Sequence, residues 1–207
     1  MKYRVVMGRV TTNLVIRKSE FITSVAPVSN EEAAWSFIAE IKEATHNVWA
    51  FRIGQDEYMR FSDDGEPSGT AGRPILEVIQ REGIHDVAIV VTRYFGGILL
   101  GAGGLVRAYS QSATQGLKAA PKGFLAQREK LKVKIDYPSL GKLENELAIL
   151  GGAIDHAEYG VQVLLEILIP PEHYNYLQQI ILDLTNGDAQ ITQLDPVWIR
   201  VAKKRGE

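Results

Sequence analysis

The spacing of hydrophobic residues changes several times along the first half of the chain. Alternating or continuous apolar patterns are typical of strands, and they cover residues 3–17, 48–54 and 86–94. Apolar positions three and four residues apart predict helices, over about residues 30–44, 74–81 and 105–119. Ser29 and Glu32 have the spacing of a capping box, which would begin the first of these helices.

The second half of the chain repeats the same two periods in a regular order. Strands are predicted over residues 130–137, 153–159, 161–169 and 189–201, and helices over residues 139–150 and 171–185. The order βαββαβ is that of a ferredoxin-like domain. Pro121, Lys122 and Gly123 are typical of a linker. We therefore expect an α+β protein of two domains, residues 1–126 and 127–207.

Composition and charge restrict the classes of function. The chain has no cysteine, which excludes a disulfide framework and cysteine-based metal sites. Its net charge is −2, from +1 over residues 1–126 (14 basic, 13 acidic) and −3 over residues 127–207 (9 basic, 12 acidic). Without a basic excess, any binding of nucleic acid must be local. We see no signal peptide or membrane span, so we expect a cytoplasmic protein without a membrane partner.

An irregular acidic segment interrupts the first half of the chain at residues 62–74, where three glycines and two prolines oppose regular structure. It contains Asp63, Asp64 and Glu66, three carboxylates within four residues. Such a group could bind Mg²⁺ through oxygen ligands, or it could accept hydrogen bonds from backbone amides and shape the loop. Both alternatives remain open from the sequence.

A glycine-rich segment follows the strand predicted at residues 86–94 and precedes a helix. Its glycines include Gly96, Gly97, Gly101, Gly103 and Gly104. Exposed amides at a helix start favour an anion such as phosphate. The alternative is that Gly103 and Gly104 let the helix pack tightly on the sheet. The spacing matches neither common nucleotide-binding glycine signature.

Arginines accompany both segments. Arg73, Arg93 and Arg107 would form a local cationic patch if the two segments meet at one end of the sheet. Tyr94 could then add an aromatic face for a base, whereas Tyr109 is better explained by core burial. Apart from the magnesium alternative for the acidic segment, no side chains have the spacing of a catalytic group or a cofactor site, so we expect no cofactor and leave an enzymatic activity open.

Several long segments resemble the IMPACT family, including its bacterial YigZ-like members. The matching segments are Thr45-His46-Asn47, Asp63 through Gly72, Val91 through Gly97, Leu99 through Tyr109, and Lys18-Ser19-Glu20-Phe21-Ile22. They cover the N-terminal 120 residues, and the C-terminal part resembles the small domain of bacterial members. Leu100 stands where many relatives have a lysine, which weakens a phosphate site in the glycine-rich segment.

The resemblance implies folds that the residue patterns alone do not. The N-terminal domain would share the fold of the second domain of ribosomal protein S-five. The C-terminal domain would resemble the ferredoxin-like fifth domain of elongation factor G. A role in binding RNA or the ribosome and regulating translation follows as an expectation.

Two alternatives to RNA binding remain open from the sequence. One is a phosphate- or nucleotide-binding protein or enzyme that uses the glycine loop and the carboxylates of Asp63, Asp64 and Glu66. The other is a protein-partner surface on the C-terminal sheet.

Overall fold

The chain folds into two compact units with a mixed α+β architecture. A computed structural model describes residues 2–41, 46–54 and 58–202. The N-terminal unit comprises Lys2–Leu125 together with the end of the last strand from Arg200, and the C-terminal unit comprises Ala126–Ile199. The boundary at residue 126 for two independent domains stays a prediction.

The N-terminal unit contains the strand and helix patterns of the first half of the sequence. Its elements are β1 (Lys2–Val6), β2 (Val10–Ile16), β3 (Ser19–Pro27), α1 (Glu31–Glu40), β4 (His46–Ile53), β5 (Tyr58–Ser62), α2 (Gly72–Arg81), β6 (Ile84–His85), β7 (Val87–Tyr94) and α3 (Ala102–Ala119). Residues 42–44 of the first predicted helix lie outside the described residues.

Strand β7 is the middle strand of an antiparallel sheet with the order β2-β3-β7-β4-β5. Its residues alternate between two hydrophobic clusters. Val87, Ile89 and Val91 pack with residues of α2 and α3, whereas Ala88 and Val90 pack with residues of α1. Burial on both faces explains why this strand has a continuous apolar sequence instead of an alternating one.

The start of α1 differs from the sequence-based prediction. Asn30 is the N-cap, and its side-chain oxygen accepts a hydrogen bond from the amide of Ala33 at 2.8 Å. The predicted capping box with Ser29 is therefore wrong by one residue. Asparagine caps a helix as well as serine does.

The C-terminal unit has the predicted order βαββαβ. Its elements are β8 (Lys122–Ile135), α4 (Tyr137–Leu150), β9 (Ala153–Tyr159), β10 (Val163–Ile169), α5 (Tyr174–Leu184) and β11 (Gln190–Ala202). The part of β8 before Ala126 and the part of β11 from Arg200 belong to the N-terminal unit. In its sheet, β8 lies between β11 and β10, and β10 pairs antiparallel with both β8 and β9. Its core includes Leu143 and Leu147 of α4 and Val163, Leu165, Ile167 and Ile169 of β10.

The linker predicted at Pro121, Lys122 and Gly123 is wrong, because β8 already begins at Lys122. The carbonyl of Pro121 accepts a hydrogen bond from Met7 N at 2.8 Å. A Cβ at Gly123 would lie 2.4 Å from both Met7 Sδ and the Val201 carbonyl oxygen. Glycine is needed here for close packing and not for a flexible connection.

Replacing Gly141 with alanine should stabilise the protein by about 0.5–1 kcal/mol, because glycine is unfavourable inside a helix. Gly141 is exposed in α4, and an added Cβ would have no neighbour within 4 Å. Urea unfolding followed by circular dichroism measures the change. Gly116→Ala in α3 is the control, since its methyl would lie 2.8 Å and 2.9 Å from Thr23 and Val25 and should destabilise. A destabilised Gly141→Ala protein would contradict the prediction.

Candidate functional site

The acidic segment is an ordered loop that Asp63 connects to the start of α2. Asp63 Oδ1 accepts hydrogen bonds from the amides of Ala71 at 3.0 Å and Gly72 at 2.8 Å. Its Oδ2 accepts a third from Gly69 N at 2.8 Å. These include amides that a helix N-terminus leaves without partners, where a negative charge is also favoured by the helix dipole. Asp63 therefore shapes the loop and caps α2 from eight and nine residues away.

Asp64 connects the same loop to the start of β4. Its Oδ2 accepts a hydrogen bond from Asn47 N at 2.6 Å, and its carbonyl oxygen accepts one from His46 Nδ1 at 2.7 Å. Gly65 lies against the imidazole of His46, and a Cβ there would approach the ring to 3.2 Å. His46 and Asn47 of the sequence motif thus hold the loop in place.

Glu66 connects the loop to β7 and α3. Its Oε1 accepts hydrogen bonds from Arg93 Nη1 and from the Tyr109 hydroxyl, both at 2.7 Å. The side chains of Arg93 and Glu66 are only 7% and 4% exposed. Burial and the Glu66 carboxylate raise the pKa of Tyr109 well above its ordinary value, so this hydroxyl remains a donor. The two segments that the sequence singled out therefore do meet at one end of the sheet.

The position of Arg93 contradicts the expectation that it joins Arg73 and Arg107 in a cationic patch. Its guanidinium lies inside the unit, 5.6 Å from the ring centroid of Phe21 and 5.5 Å from that of Phe95. Nη2 also donates to Ser19 Oγ at 3.4 Å. A buried arginine requires a carboxylate partner, and Glu66 supplies it. Arg93 is thus unavailable as an anion-binding group.

The contacts of the three carboxylates favour the loop-shaping alternative over the magnesium site that the sequence left open. Carboxylate oxygens of Asp63 and Asp64 accept hydrogen bonds from backbone amides. Glu66 accepts hydrogen bonds from the Arg93 guanidinium and the Tyr109 hydroxyl. Among the described residues, no cluster of three or more His, Asp or Glu side chains is arranged to hold a metal ion. The loop-shaping alternative accounts for all three residues.

The glycine loop, residues 95–101, packs against the turn between β2 and β3. A Cβ at Gly96 would lie 2.0 Å from both the carbonyl carbon and the carbonyl oxygen of Lys18, so only glycine permits this approach. Gly96 N donates to Ser19 Oγ at 3.2 Å. Arg17 and Lys18 form the turn with φ angles of 45° and 66°, and both side chains are exposed. The loop is therefore held beside two cations that the sequence analysis did not single out.

The start of α3 is open to solvent. Gly101 is its N-cap with φ of 69°, no side chain caps it, and its first turn has no acidic residue. Gly103 is exposed, and a Cβ there would come no nearer than 4.0 Å to any atom, that atom being Arg107 Nη1. The tight-packing alternative is therefore wrong for Gly103, whereas a Cβ at Gly104 would lie 3.0 Å from Leu100 Cβ, so Gly104 packs closely against the glycine loop and not against the sheet. Gly116 packs on the sheet instead, against Thr23 and Val25 of β3.

Exposed aromatic, apolar and cationic side chains share this end of the N-terminal unit. Phe95 is 55% exposed, Tyr94 39% and Leu99 82%. We use the name glycine-loop surface for the exposed side chains of this loop, of the end of β7, of the first turns of α3 and of the β2–β3 turn. They are Arg17, Lys18, Tyr94, Phe95, Ile98, Leu99, Val106 and Arg107.

The glycine-loop surface includes three cationic side chains. Within the described part of the chain, Arg17, Lys18 and Arg107 have no ion-pair partner. Arg73 is also exposed, at the start of α2, but its Nε lies 3.0 Å from Glu77 Oε1. An exposed pair of this kind is weak, so Arg73 remains accessible to a second anion.

These features define an α+β protein of two units. In the N-terminal unit, an acidic loop held by its own carboxylates and a glycine-rich loop lie at the same end of the sheet. Residues 17–117 match the Impact N-terminal domain, and residues 133–188 match a domain of unknown function, DUF1949. The chain belongs to the IMPACT family.

Relatives from several organisms support this membership over most of the chain. The IMPACT family member YvyE of Bacillus subtilis is 39% identical over 197 residues, which cover 91% of this chain and 89% of that protein. The IMPACT family member YigZ of Escherichia coli is 34% identical, over 87% of this chain and 92% of YigZ. Mouse Protein IMPACT is 37% identical over 93 residues, only 29% of its length.

A solved structure has the same fold. It is described as "Crystal structure of an hypothetical protein", is 32% identical in sequence, and superposes with a TM-score of 0.62 over 94% of this chain and 98% of its own. No helix in the described part of the chain is long and apolar enough to cross a membrane.

Proposed function

We propose that this protein is a cytoplasmic, non-enzymatic RNA-binding protein that contacts RNA or the ribosome through the glycine-loop surface and thereby regulates translation. The observation that carries the proposal is the combination, in one exposed surface, of aromatic rings, a helix start without a side-chain cap, and three cations that have no ion-pair partner among the described residues. Aromatic faces and cations together are the chemistry that binds nucleic acids.

The distribution of acidic residues supports the same proposal. The chain has 25 Asp and Glu residues, yet none occurs between Val87 and Arg128. That segment supplies the end of β7, the glycine loop and all of α3. A polyanion approaching this surface therefore meets little repulsion from the elements that build it, although the chain as a whole carries a charge of −2.

The finer fold assignments add to the proposal by analogy. We assign the βαββαβ unit, with its sheet order β11-β8-β10-β9, to the ferredoxin-like fold of the fifth domain of elongation factor G. We assign the N-terminal unit to the fold of the second domain of ribosomal protein S-five. Both are folds of proteins that work on the ribosome, although a fold alone does not define a function.

The nucleotide-binding alternative loses support from the contacts of the acidic loop. A kinase-like site would need carboxylates free to hold Mg²⁺ beside the phosphates, whereas Asp63, Asp64 and Glu66 are engaged by protein donors. We therefore do not propose it further. The start of α3, where Gly101 and Gly103 are exposed, and the exposed side chain of Arg107 remain as contacts for RNA phosphates.

Replacing Arg107 with alanine should weaken RNA binding equally for all sequences and reduce the slope of log affinity against log salt by about 0.7–1, the contribution of one phosphate contact. Fluorescence anisotropy with a labelled RNA at several salt concentrations measures both quantities. Lys142→Ala is the matched control, because Lys142 is an exposed cation on α4 in the other unit. Equal affinities and slopes for Arg107→Ala and the unaltered protein would contradict a phosphate contact at Arg107.

A further inference from the structure

The exposed ring of Phe95 contacts the buried guanidinium of Arg93. The Arg93 guanidinium lies 5.5 Å from the centroid of Phe95, while 55% of the residue is exposed to solvent. Arg93 is in turn fixed by Glu66 at 2.7 Å and by Ser19 at 3.4 Å. A guanidinium against one face of an aromatic ring attracts it electrostatically, so this contact restrains the ring.

This support lowers the cost of binding a flat ligand on Phe95. An exposed phenylalanine ordinarily loses rotamer freedom when a ligand fixes it. Here the buried Arg93 restrains the ring before any ligand arrives. The neighbouring exposed side chains of Tyr94 and Leu99 extend the apolar surface beside it. This surface can bind a ligand with a planar, apolar face. A nucleobase has such a face on each side of its ring.

An exposed aromatic ring such as that of Phe95 would favour single-stranded over double-stranded RNA. In an A-form duplex the bases cover one another's faces and present only their edges, so aromatic side chains have nothing to stack on. Single strands expose base faces, and stacking on an aromatic ring then supplies much of the affinity.

The number of charges around the surface agrees with binding that depends on stacking. Arg17, Lys18 and Arg107 are the cations of the glycine-loop surface, and three phosphate contacts on a single strand give a salt slope of only about −2. One carboxylate is near: Glu20 lies opposite Tyr94 in the pairing of β3 with β7, and it accepts a hydrogen bond from Asn13 at 2.5 Å. Charge alone is therefore too weak to hold RNA here.

We propose that the glycine-loop surface binds single-stranded RNA, with one base stacked on the open face of Phe95 and the adjoining phosphates beside Arg107 and the turn of Arg17 and Lys18. This inference rests on the RNA-binding function proposed above and specifies its ligand. Duplex RNA makes only the phosphate contacts and binds more weakly.

The test compares one labelled single-stranded RNA of about 12 nucleotides, a length within known site sizes, with a duplex of the same sequence. Fluorescence anisotropy measures both affinities for the full chain and for Phe95→Leu, which keeps an apolar side chain but removes the aromatic face. Phe61→Leu is the matched control, because Phe61 is a similarly exposed phenylalanine, 44% accessible, on the edge strand β5. Phe95→Tyr should restore binding, and thermal unfolding verifies that each variant is folded.

We expect the single strand to bind at least about tenfold more tightly than the duplex, and Phe95→Leu to lose about tenfold for the single strand only. Phe61→Leu should bind as the unaltered protein does. If both RNAs bind equally and Phe95→Leu has no effect, stacking on Phe95 is wrong while RNA binding stands. If neither RNA binds, the proposed function itself is wrong, and the apolar surface must serve a different class of partner.

Discussion

Replacing Glu66 with alanine should lower the free energy of unfolding by about 3–5 kcal/mol, because it leaves the Arg93 guanidinium buried without a counter-ion. Glu66 Oε1 is 2.7 Å from both Arg93 Nη1 and the Tyr109 hydroxyl, and the two charged side chains are less than a tenth exposed. The change therefore removes the acceptor of two buried donors at once. Urea unfolding followed by circular dichroism gives the free energy.

Two variants separate the buried charge from general effects of losing a carboxylate. Glu77→Ala removes the partner of Arg73, in a pair whose side chains are 60–68% exposed, and should cost less than about 1 kcal/mol. A double variant, Glu66→Leu with Arg93→Met, removes both charges and should recover much of the stability. A cost for Glu66→Ala as small as that for Glu77→Ala would contradict the buried pair.

The elements of the fold were predictable where one period of hydrophobic residues extends over a whole element. The C-terminal unit is the best example, since its core faces in α4 and β10 are regular and local. In the N-terminal unit, the same reasoning identifies β7 and the helix that ends at Ala119. The cap at Asn30 was misassigned by one residue because Ser29 and Asn30 are both good capping residues.

The orientation of the arginines could not be predicted in the same way. Arg93 and Glu66 are 27 residues apart, and only the folded sheet brings them together. A signal was present, since Arg93 directly follows a run of residues in β7, Val87 to Thr92, that are all buried. A charge at such a position needs an acidic partner, and the acidic loop was the obvious source.

The glycines show a second limit of sequence reasoning. Five glycines in one segment indicate a special loop, but not which of them is required for packing. The close contact of Gly96 is with Lys18 in the β2–β3 turn, which lies far away along the chain. Ser19, which accepts a hydrogen bond from Gly96 N, is 77 residues before it. The exposed cations Arg17 and Lys18 were missed for the same reason, because their position beside the loop is a tertiary contact.

Replacing Gly96 with alanine should destabilise the protein by about 3 kcal/mol and abolish the proposed RNA binding, because the added methyl would overlap backbone that cannot rotate away. The nearest atoms to its Cβ would be the Lys18 carbonyl carbon and oxygen at 2.0 Å and Ser19 N at 2.4 Å. Relief requires the loop to move from the β2–β3 turn, which separates Phe95 and Arg107 from Arg17 and Lys18. Thermal unfolding and RNA anisotropy measure the two effects.

Gly103→Ala is the control that distinguishes a packing requirement from the loss of a glycine as such. Gly103 lies in the first turn of α3, and its added Cβ would meet only the end of the flexible Arg107 side chain, at 4.0 Å. Alanine is the better helix former, so this change should leave stability unchanged or raise it by up to about 1 kcal/mol. If Gly96→Ala were as stable as Gly103→Ala and still bound RNA, the glycine loop would not need its contact with the turn. The proposal that this contact brings together the aromatic and cationic side chains for RNA binding would then be wrong.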